Sequence, residues 1–280
     1  MVHFIPPSQR RMALLAAQTD SAPAVIHGAE GTGKGALARW IHLNGPRVGK
    51  PFVTAKRKVS LSSQFASAQG GTMEIPAIGE WPLAEQMVLL NYLKTKSIVD
   101  ADGLRALANV RIIATTDQAL EGRALGGLFN IELLEKLNVF RIEMPSLLER
   151  KEEFEDIVLA IVGEVTRELH KEHLRTLSNE AWESLKSYEW PGNIRELRNV
   201  LRVGVVAALG DQIELSDLPK FGPDKIDFRA TREQFEKIYL VELLRSFDWE
   251  IDKTCELSKM DKPTLLNKIK QYGISRETSV

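Results

Sequence analysis

Short apolar runs alternate with stretches of helical periodicity along the first half of the chain. The runs are brief and rich in β-branched or large apolar residues, which predicts buried strands. The predicted strands are residues 24–26, 51–54, 72–75, 110–115 and 139–142. The predicted helices are residues 8–20, 36–42, 82–96 and 129–137. Strands separated by helices predict a parallel α/β sheet.

The pattern changes near residue 147, where helix follows helix. The helical stretches there are residues 154–170, 179–188 and 192–209, and a last segment from residue 228 predicts three more helices. We therefore predict four parts. They are an α/β subdomain at 1–146, a helical subdomain at 147–219, a linker at 220–227 and an all-α domain at 228–280.

Composition narrows the class of protein. The 280 residues are 44% hydrophobic and carry a formal net charge of −1, so a nucleic-acid surface must be a local patch. A single cysteine, Cys255, leaves no internal disulfide and suits a reducing compartment. The N-terminus lacks a signal-peptide pattern, and no apolar run approaches the ~20 residues of a membrane span. We expect a cytoplasmic protein.

The stretch Gly28 to Gly35 reads Gly-Ala-Glu-Gly-Thr-Gly-Lys-Gly and follows a predicted strand. It matches the phosphate-binding loop through Lys34, but glycine replaces the expected serine or threonine at position 35. Such a loop directs backbone N–H groups and a helix dipole at an anion. The predicted binding residues are Gly28, Gly31, Thr32, Gly33, Lys34 and Gly35. The alternative is a vestigial loop that only shapes the fold.

Three further motifs accompany this loop. They are Gly70-Gly71-Thr72, the stretch from Ile78 to Leu83, and the stretch from Trp190 to Val200. Together they resemble the NtrC-like enhancer-binding proteins, the bacterial AAA+ activators of sigma-54 RNA polymerase. The resemblance implies an AAA+ P-loop parallel-sheet domain, an α-helical lid subdomain and an all-α Fis-type helix-turn-helix domain. It also implies ATP or ADP as cofactor, with Thr116 and Arg195 as nucleotide sensors.

The chain departs from this family where catalysis takes place. The family has an Asp-Glu pair that holds Mg²⁺ and polarises water, and Pro76 and Ala77 stand there. Neither side chain can bind a metal or accept a proton, so we expect Mg²⁺ to be poorly held and name no catalytic or metal residue. Glu74 lies on the same strand face, about 6.6 Å back along the strand. We interpret it as a charged residue on a distorted strand; substitution for the missing acids is the alternative.

Two other family features are missing. Asn130 and Lys136 align with arginines that reach a neighbouring subunit's nucleotide, and loss of such an arginine costs ~10³–10⁵ in rate. Residues 56–69 are too few for the family's sigma-contacting loop. The resemblance therefore implies that ATP hydrolysis and polymerase remodelling are lost.

The C-terminal segment resembles the Fis-type helix-turn-helix, whose last helix enters the major groove and whose domain dimerises. The residues expected to contact DNA are Lys262, Thr264, Asn267, Lys268 and Lys270. Lysines there form a local phosphate-binding patch, and Thr264 and Asn267 can reach base edges. A solvated basic helix face is the alternative interpretation.

These observations favour a DNA-binding transcriptional regulator built on a degenerate AAA+ module. Its expected partners are double-stranded DNA, a second copy through the C-terminal domain, higher oligomers through the AAA+ domain, and another AAA+ regulator. Because the chain begins at the AAA+ domain, we expect no receiver domain ahead of it. Two alternatives remain: an ATP-driven sigma-54 activator with rearranged catalytic groups, and an adaptor that forms mixed oligomers with an intact relative.

Overall fold

A parallel sheet organises the N-terminal part of the chain in the computed structural model. The structure describes residues 4–99, 103, 105–221, 236–237, 239–241, 243–245, 247, 249–258 and 260–274. The strands in chain order are β1 (Ala24–Gly28), β2 (Phe52–Thr54), β3 (Thr72–Ile75), β4 (Ser97–Val99), β5 (Arg105–Leu107), β6 (Arg111–Thr116) and β7 (Phe140–Met144). Five of them form the sheet in the order β2-β3-β6-β1-β7, and every neighbouring pair is parallel. The predicted parallel α/β sheet is confirmed.

Helices cover both faces of this sheet. They are α1 (Pro7–Gln18), α2 (Lys34–Leu43), α3 (Leu61–Gln64), α4 (Leu83–Thr95), α5 (Leu120–Leu125) and α6 (Ile131–Leu137). Successive side chains of a strand point to opposite faces. Accordingly Val25 joins a core with residues of α3, α4 and α6, while Ala24 and Ile26 join a second core with residues of α1 and α2. Both faces are therefore buried, as a parallel sheet requires.

Several short elements were not predicted. Strands β4 and β5 pair antiparallel as a separate hairpin, and α3 and α5 are helices of four and six residues. Each is too short to repeat a hydrophobic period, so its sequence carries no clear periodic signal. In the polar stretch before β3, Gln64 accepts from the Lys56 N–H at 2.7 Å and donates to the Val59 carbonyl at 2.9 Å. The side-chain amide of Gln64 thus holds the backbone of residues 56 and 59 close to α3.

Arg47 lies at the opposite end of the strands from the phosphate loop. Its side chain is buried and donates to Asp20, to the Gly71 carbonyl at 2.6 Å and to the Asn109 side chain at 2.6 Å. These acceptors precede β1, β3 and β6 respectively. A single guanidinium, with its five donors, therefore holds together three segments that are far apart in sequence.

The chain divides into two compact units. One comprises Met1–Ile157 with Trp190–Glu196, and the other comprises Val158–Glu189 with Leu197–Val280. The helices that follow the sheet are α7 (Phe154–Glu168), α8 (Asn179–Ser187) and α9 (Asn193–Ala207). Two-residue strands β8 (Thr176–Leu177) and β9 (Gln212–Ile213), which were not predicted, pair in parallel.

Ionic contacts join the helices of the second unit. Arg198 pairs with Glu164, and Arg202 pairs with Glu168 at 2.9 Å. Lys171 donates to the Val206 carbonyl at 2.7 Å, close to the end of α9. These contacts hold α9 to α7 and to the segment that follows α7. Of the helices in the described ranges, none has the length and apolar character needed to cross a membrane.

The C-terminal segment contains α10 (Ile251–Ser258) and α11 (Lys262–Gln271), and helical residues also occur between positions 236 and 245. Asp261 caps α11 by accepting from the Thr264 N–H at 3.1 Å, as predicted. A small core forms from Leu240, Leu244, Leu265 and Ile274. The predicted helix start at residue 228 and most of the predicted linker lie outside the described residues.

Candidate nucleotide-binding and DNA-binding sites

The phosphate loop connects the end of β1 to the first turn of α2. Gly33 precedes the helix in a left-handed conformation with φ of 95°, and no side chain caps the helix there. The first backbone N–H groups of a helix have no intrahelical partner and attract anions. Lys34 donates to the carbonyls of Gly28 at 2.6 Å and Ala29 at 2.8 Å, and Thr32 donates to Ala29 at 2.8 Å. The loop therefore has the architecture that the sequence predicts.

The segment from Trp190 to Arg195 supports the back of this loop. Gly31 has φ of 79°, and a Cβ there would lie 2.0 Å from the Gly192 carbonyl oxygen. Asn193 donates to the Glu30 carbonyl at 2.8 Å, and the Arg195 N–H donates to the Gly31 carbonyl at 3.2 Å. This role of Asn193 was not predicted, because its partner lies 163 positions away.

Acidic groups surround the cation of the loop. Burial lowers the pKa of Lys34, while Asp117 and Glu30 raise it and Arg195 lowers it further. Arg195 also forms an exposed ion pair with Glu30 at 2.7 Å. An incoming phosphate must therefore compete with the carbonyls that hold Lys34 and with the carboxylate that holds Arg195. Neither Glu30 nor Asp117 was among the predicted binding residues.

A turn of two residues without acidic side chains follows β3. The strand stops at Ile75, and Pro76 and Ala77 form a turn in which Ala77 has φ of 46°. Trp81 donates its indole N–H to the Pro76 carbonyl at 2.8 Å, which anchors the turn. Across the ranges that the structure describes, no three His, Cys, Asp or Glu residues cluster as a metal site.

Glu74, two residues earlier, lies against the start of α2. Its side chain is buried, and Thr54 donates to its Oε2 atom at 2.9 Å. Its Oε1 atom lies 3.0 Å from the position that a Cβ of Gly35 would occupy. Burial raises the pKa of Glu74, opposed by the Thr54 hydrogen bond and the charge of Arg39.

The strand is regular at Glu74, which pairs with Thr54 on β2 and with Ile113 on β6. The expected distortion of the strand at Glu74 was therefore wrong. Its position could not be predicted, because it depends on how α2 packs against the sheet.

The remaining family positions are engaged in local structure. Thr116 is buried, and its hydroxyl accepts from the Gln118 N–H at 3.0 Å in the turn after β6. Asn130 caps α6 by accepting from the Leu133 N–H at 2.9 Å. Lys136 is exposed in the last turn of α6. Asn130 therefore caps a helix at the position where the family has a charged arginine.

The predicted DNA-contacting side chains on α11 differ in their surroundings. Lys262 pairs with Asp252 at 2.7 Å in an exposed ion pair, and Asn267 and Lys270 are also exposed. Lys268 is partly buried and pairs with Glu236, which also accepts from the Tyr272 hydroxyl at 2.6 Å. Thr264 is half-buried at the start of the helix. Lys268 therefore already has an anionic partner within its own domain.

Family profiles match nearly the whole chain. A profile described as the Sigma-54 interaction domain matches residues 8–147. An AAA+ ATPase lid domain matches residues 148–231, and the bacterial regulatory protein Fis family matches residues 231–272.

Curated relatives and solved structures agree with these profiles. A putative NtrX-like response regulator of Rickettsia typhi is 29% identical over 94% of this chain and 64% of its own length. The alginate biosynthesis regulator AlgB of Pseudomonas syringae is 31% identical over 89% of this chain and 62% of its own. Crystal structures of Brucella abortus NtrX with ADP and with ATP superpose with a TM-score of 0.67 at 27% identity, covering 95% of this chain and 68% and 67% of theirs.

The chain spans less than two thirds of the length of these two curated relatives. Over that span it has the phosphate loop, the parallel sheet, the helical region and the Fis-type helices in the order that the matching profiles require. The chain therefore belongs to the enhancer-binding transcriptional regulators that carry a sigma-54 interaction domain, an AAA+ lid and a Fis-type helix-turn-helix.

Proposed function

We propose that this protein is a DNA-binding transcriptional regulator whose AAA+ module holds ATP or ADP without hydrolysing it and without remodelling sigma-54 polymerase. One observation carries the proposal: the chain has a phosphate loop before α2, but β3 is followed by a turn of Pro76 and Ala77 where the family has its catalytic acids. The groups that bind a nucleotide are present, whereas the family's catalytic acids are replaced by residues without acid–base chemistry.

Nucleotide binding is supported by the loop and its surroundings. Lys34 and the first turn of α2 supply charge and free N–H groups, and Arg195 lies beside the loop through its contact with Glu30. The NtrX structures contain ADP or ATP in a relative that matches 95% of this chain.

Loss of hydrolysis is supported at three positions. Pro76 and Ala77 can neither polarise water nor accept its proton. Asn130, where the family has an arginine finger, is neutral and serves as a helix cap.

Loss of polymerase remodelling is supported by residues 56–69. They form a short polar connection with a four-residue α-helix and a three-residue 3-10 turn, which leaves no room for a long sigma-contacting loop. Without hydrolysis and without a sigma contact, we propose that the AAA+ module serves in oligomerisation that depends on bound nucleotide.

DNA binding is assigned to α11, with a dimer formed through the C-terminal domain. Lys262, Asn267 and Lys270 are the exposed predicted contacts, and Lys262 can exchange its exposed partner Asp252 for a phosphate. We propose that the protein is cytoplasmic and binds double-stranded DNA. We also propose that it forms higher oligomers, including mixed oligomers with an intact AAA+ regulator.

A steady-state ATPase assay at high protein concentration, run beside calorimetric titration with ADP, tests the enzymatic part. We expect ADP binding that Lys34→Ala abolishes, and phosphate release no faster than that of Lys34→Ala. Turnover comparable to an intact AAA+ activator would establish the alternative of rearranged catalytic groups. Absence of ADP binding would reduce the loop to a structural feature.

The DNA-binding part is tested by fluorescence anisotropy with duplex fragments upstream of the protein's own gene. We expect binding that weakens steeply with salt. A protein that binds no duplex but co-purifies with an intact AAA+ relative would instead be the mixed-oligomer adaptor.

A further inference from the structure

The buried carboxylate of Glu74 has an unusual position for a residue without an assigned role. Oε2 accepts from Thr54, and the structure's described residues give Oε1 no hydrogen bond. Oε1 faces Gly35, which is exposed at the first turn of α2. A buried carboxylate normally satisfies its acceptors or contacts a cation. One oxygen of Glu74 therefore remains available on the side where the phosphate loop begins its helix.

The space next to Gly35 has a known use in phosphate loops. The residue at that position is ordinarily serine or threonine, and its hydroxyl binds Mg²⁺. Gly35 has no side chain, and the Glu74 carboxylate comes within 3.0 Å of where a Cβ would be. An oxygen atom from β3 thus lies beside the place where a side chain of residue 35 would begin. A side chain at position 35 would require Glu74 to shift from its present position.

The charges around the loop also favour a cation. Lys34 and Arg195 are positive, but Glu30 and Asp117 act on Lys34, and Glu74 lies next to the loop's last residue. A polyphosphate that enters this site brings several negative charges close to three carboxylates. A divalent cation would offset that repulsion. Mg²⁺ needs only one or two protein carboxylates when phosphate oxygens and water complete its coordination.

We propose that Glu74 supplies the protein oxygen for a divalent cation that enters with the nucleotide, in place of the hydroxyl absent at position 35 and of the acids absent at positions 76 and 77. The inference rests on the proposed nucleotide binding and adds its metal dependence. It develops the alternative interpretation of Glu74, in which this residue substitutes for the missing acids, against the expectation of poorly held Mg²⁺. The arrangement holds the metal nucleotide without providing a base for attack by water.

Calorimetric titration of the full chain with ADP, in EDTA and in excess Mg²⁺, tests the proposal. Wild type is expected to bind ADP more tightly with Mg²⁺. In Glu74→Gln, the apparent affinity for the metal in the presence of ADP is expected to fall by roughly 10–100-fold, as substitutions around metal sites do. ADP affinity in EDTA is expected to be unchanged or higher, because a negative charge is removed.

Electron paramagnetic resonance of Mn²⁺, recorded at saturating ADP, reports metal binding separately from nucleotide affinity. We expect Mn²⁺ to be immobilised by wild type with ADP and released by Glu74→Gln. Glu80→Gln removes a carboxylate from the next segment, which pairs with Arg57, and is expected to leave the signal unchanged. Restoring the hydroxyl in Gly35→Ser combined with Glu74→Ala, which clears the space next to position 35, is expected to recover metal binding.

The outcomes separate the two proposals. Equal ADP affinity with and without Mg²⁺ in wild type, or full Mn²⁺ binding in Glu74→Gln, would overturn the role of Glu74 while nucleotide binding stands. No ADP binding under either condition would overturn both. Thermal unfolding of each variant shows whether a lost signal reflects a lost fold, and rescue by the double variant excludes that explanation.

Discussion

Two glycines with nearly the same backbone conformation differ in what surrounds them. Gly31 has φ of 79° and Gly49 has φ of 78°. A Cβ on Gly31 would meet the Gly192 carbonyl oxygen at 2.0 Å, whereas a Cβ on Gly49 would have no neighbour within 4 Å. Comparing the two positions therefore separates the cost of the left-handed conformation from the cost of close packing.

Gly31→Ala is expected to destabilise the protein more than Gly49→Ala. The left-handed conformation costs an alanine about 1–2 kcal/mol, and overpacking against Gly192 adds roughly 1–3 kcal/mol at Gly31 alone. Urea unfolding of both variants measures the difference. ADP affinity should fall only for Gly31→Ala. Equal losses of stability would show that the segment from Trp190 to Arg195 does not pack on the loop.

Two lysines of α11 differ in their surroundings: one is paired within the C-terminal segment and the other is exposed to solvent. Lys268 is partly buried, pairs with Glu236 and lies over the Tyr272 ring at 5.8 Å. Lys270, two positions later, is exposed and forms no ion pair among the described residues. Neighbouring positions on a helix point in different directions, so the first faces the small C-terminal core and the second faces solvent.

Lys268→Ala is expected to lower the stability of the C-terminal segment by about 1–3 kcal/mol, because Glu236 loses a charged partner while partly buried. Lys270→Ala should change stability by less than about 0.5 kcal/mol. It should weaken binding to all duplexes alike and lower the slope of log K against log salt by about 0.9. Thermal unfolding and salt-dependent anisotropy measure the two effects. Unchanged DNA affinity in Lys270→Ala would place the phosphate contact elsewhere.

At the scale of the whole molecule, Arg47 connects parts of the sheet that the chain order separates. Asp20, Gly71 and Asn109 all accept from its buried guanidinium. Arg57 offers a matched comparison, because it pairs with Glu80 while its own side chain is 53% exposed. The two arginines have the same chemistry but opposite burial.

Arg47→Met is expected to cost about 1–3 kcal/mol, because it leaves the buried Gly71 carbonyl without its donor, while Asp20 is exposed enough to be solvated. Arg57→Met should cost about 0–1 kcal/mol, the usual range for an exposed ion pair. Chemical denaturation measures both. A small loss for Arg47→Met would mean that water replaces the guanidinium at the end of the sheet.

The predictions succeeded where the signal was local and periodic. The strands and longer helices of the sheet domain repeat a hydrophobic period, and the loop from Gly28 to Gly35 is a contiguous motif between a strand and a helix. The hairpin β4–β5, the short helices and the pair β8–β9 were missed, because two to six residues do not complete a recognisable period.

The sequence by itself determined the parallel α/β sheet, the phosphate loop, the helical region and the loss of acids at positions 76 and 77. Each depends on residue type and on spacing along the chain. Only the tertiary structure decided that Glu74 meets Gly35, that Asn193 holds the loop and that Lys268 is paired internally. These contacts join residues 32 to 163 positions apart. Strand register and helix packing bring them together, and neither is encoded in a local pattern.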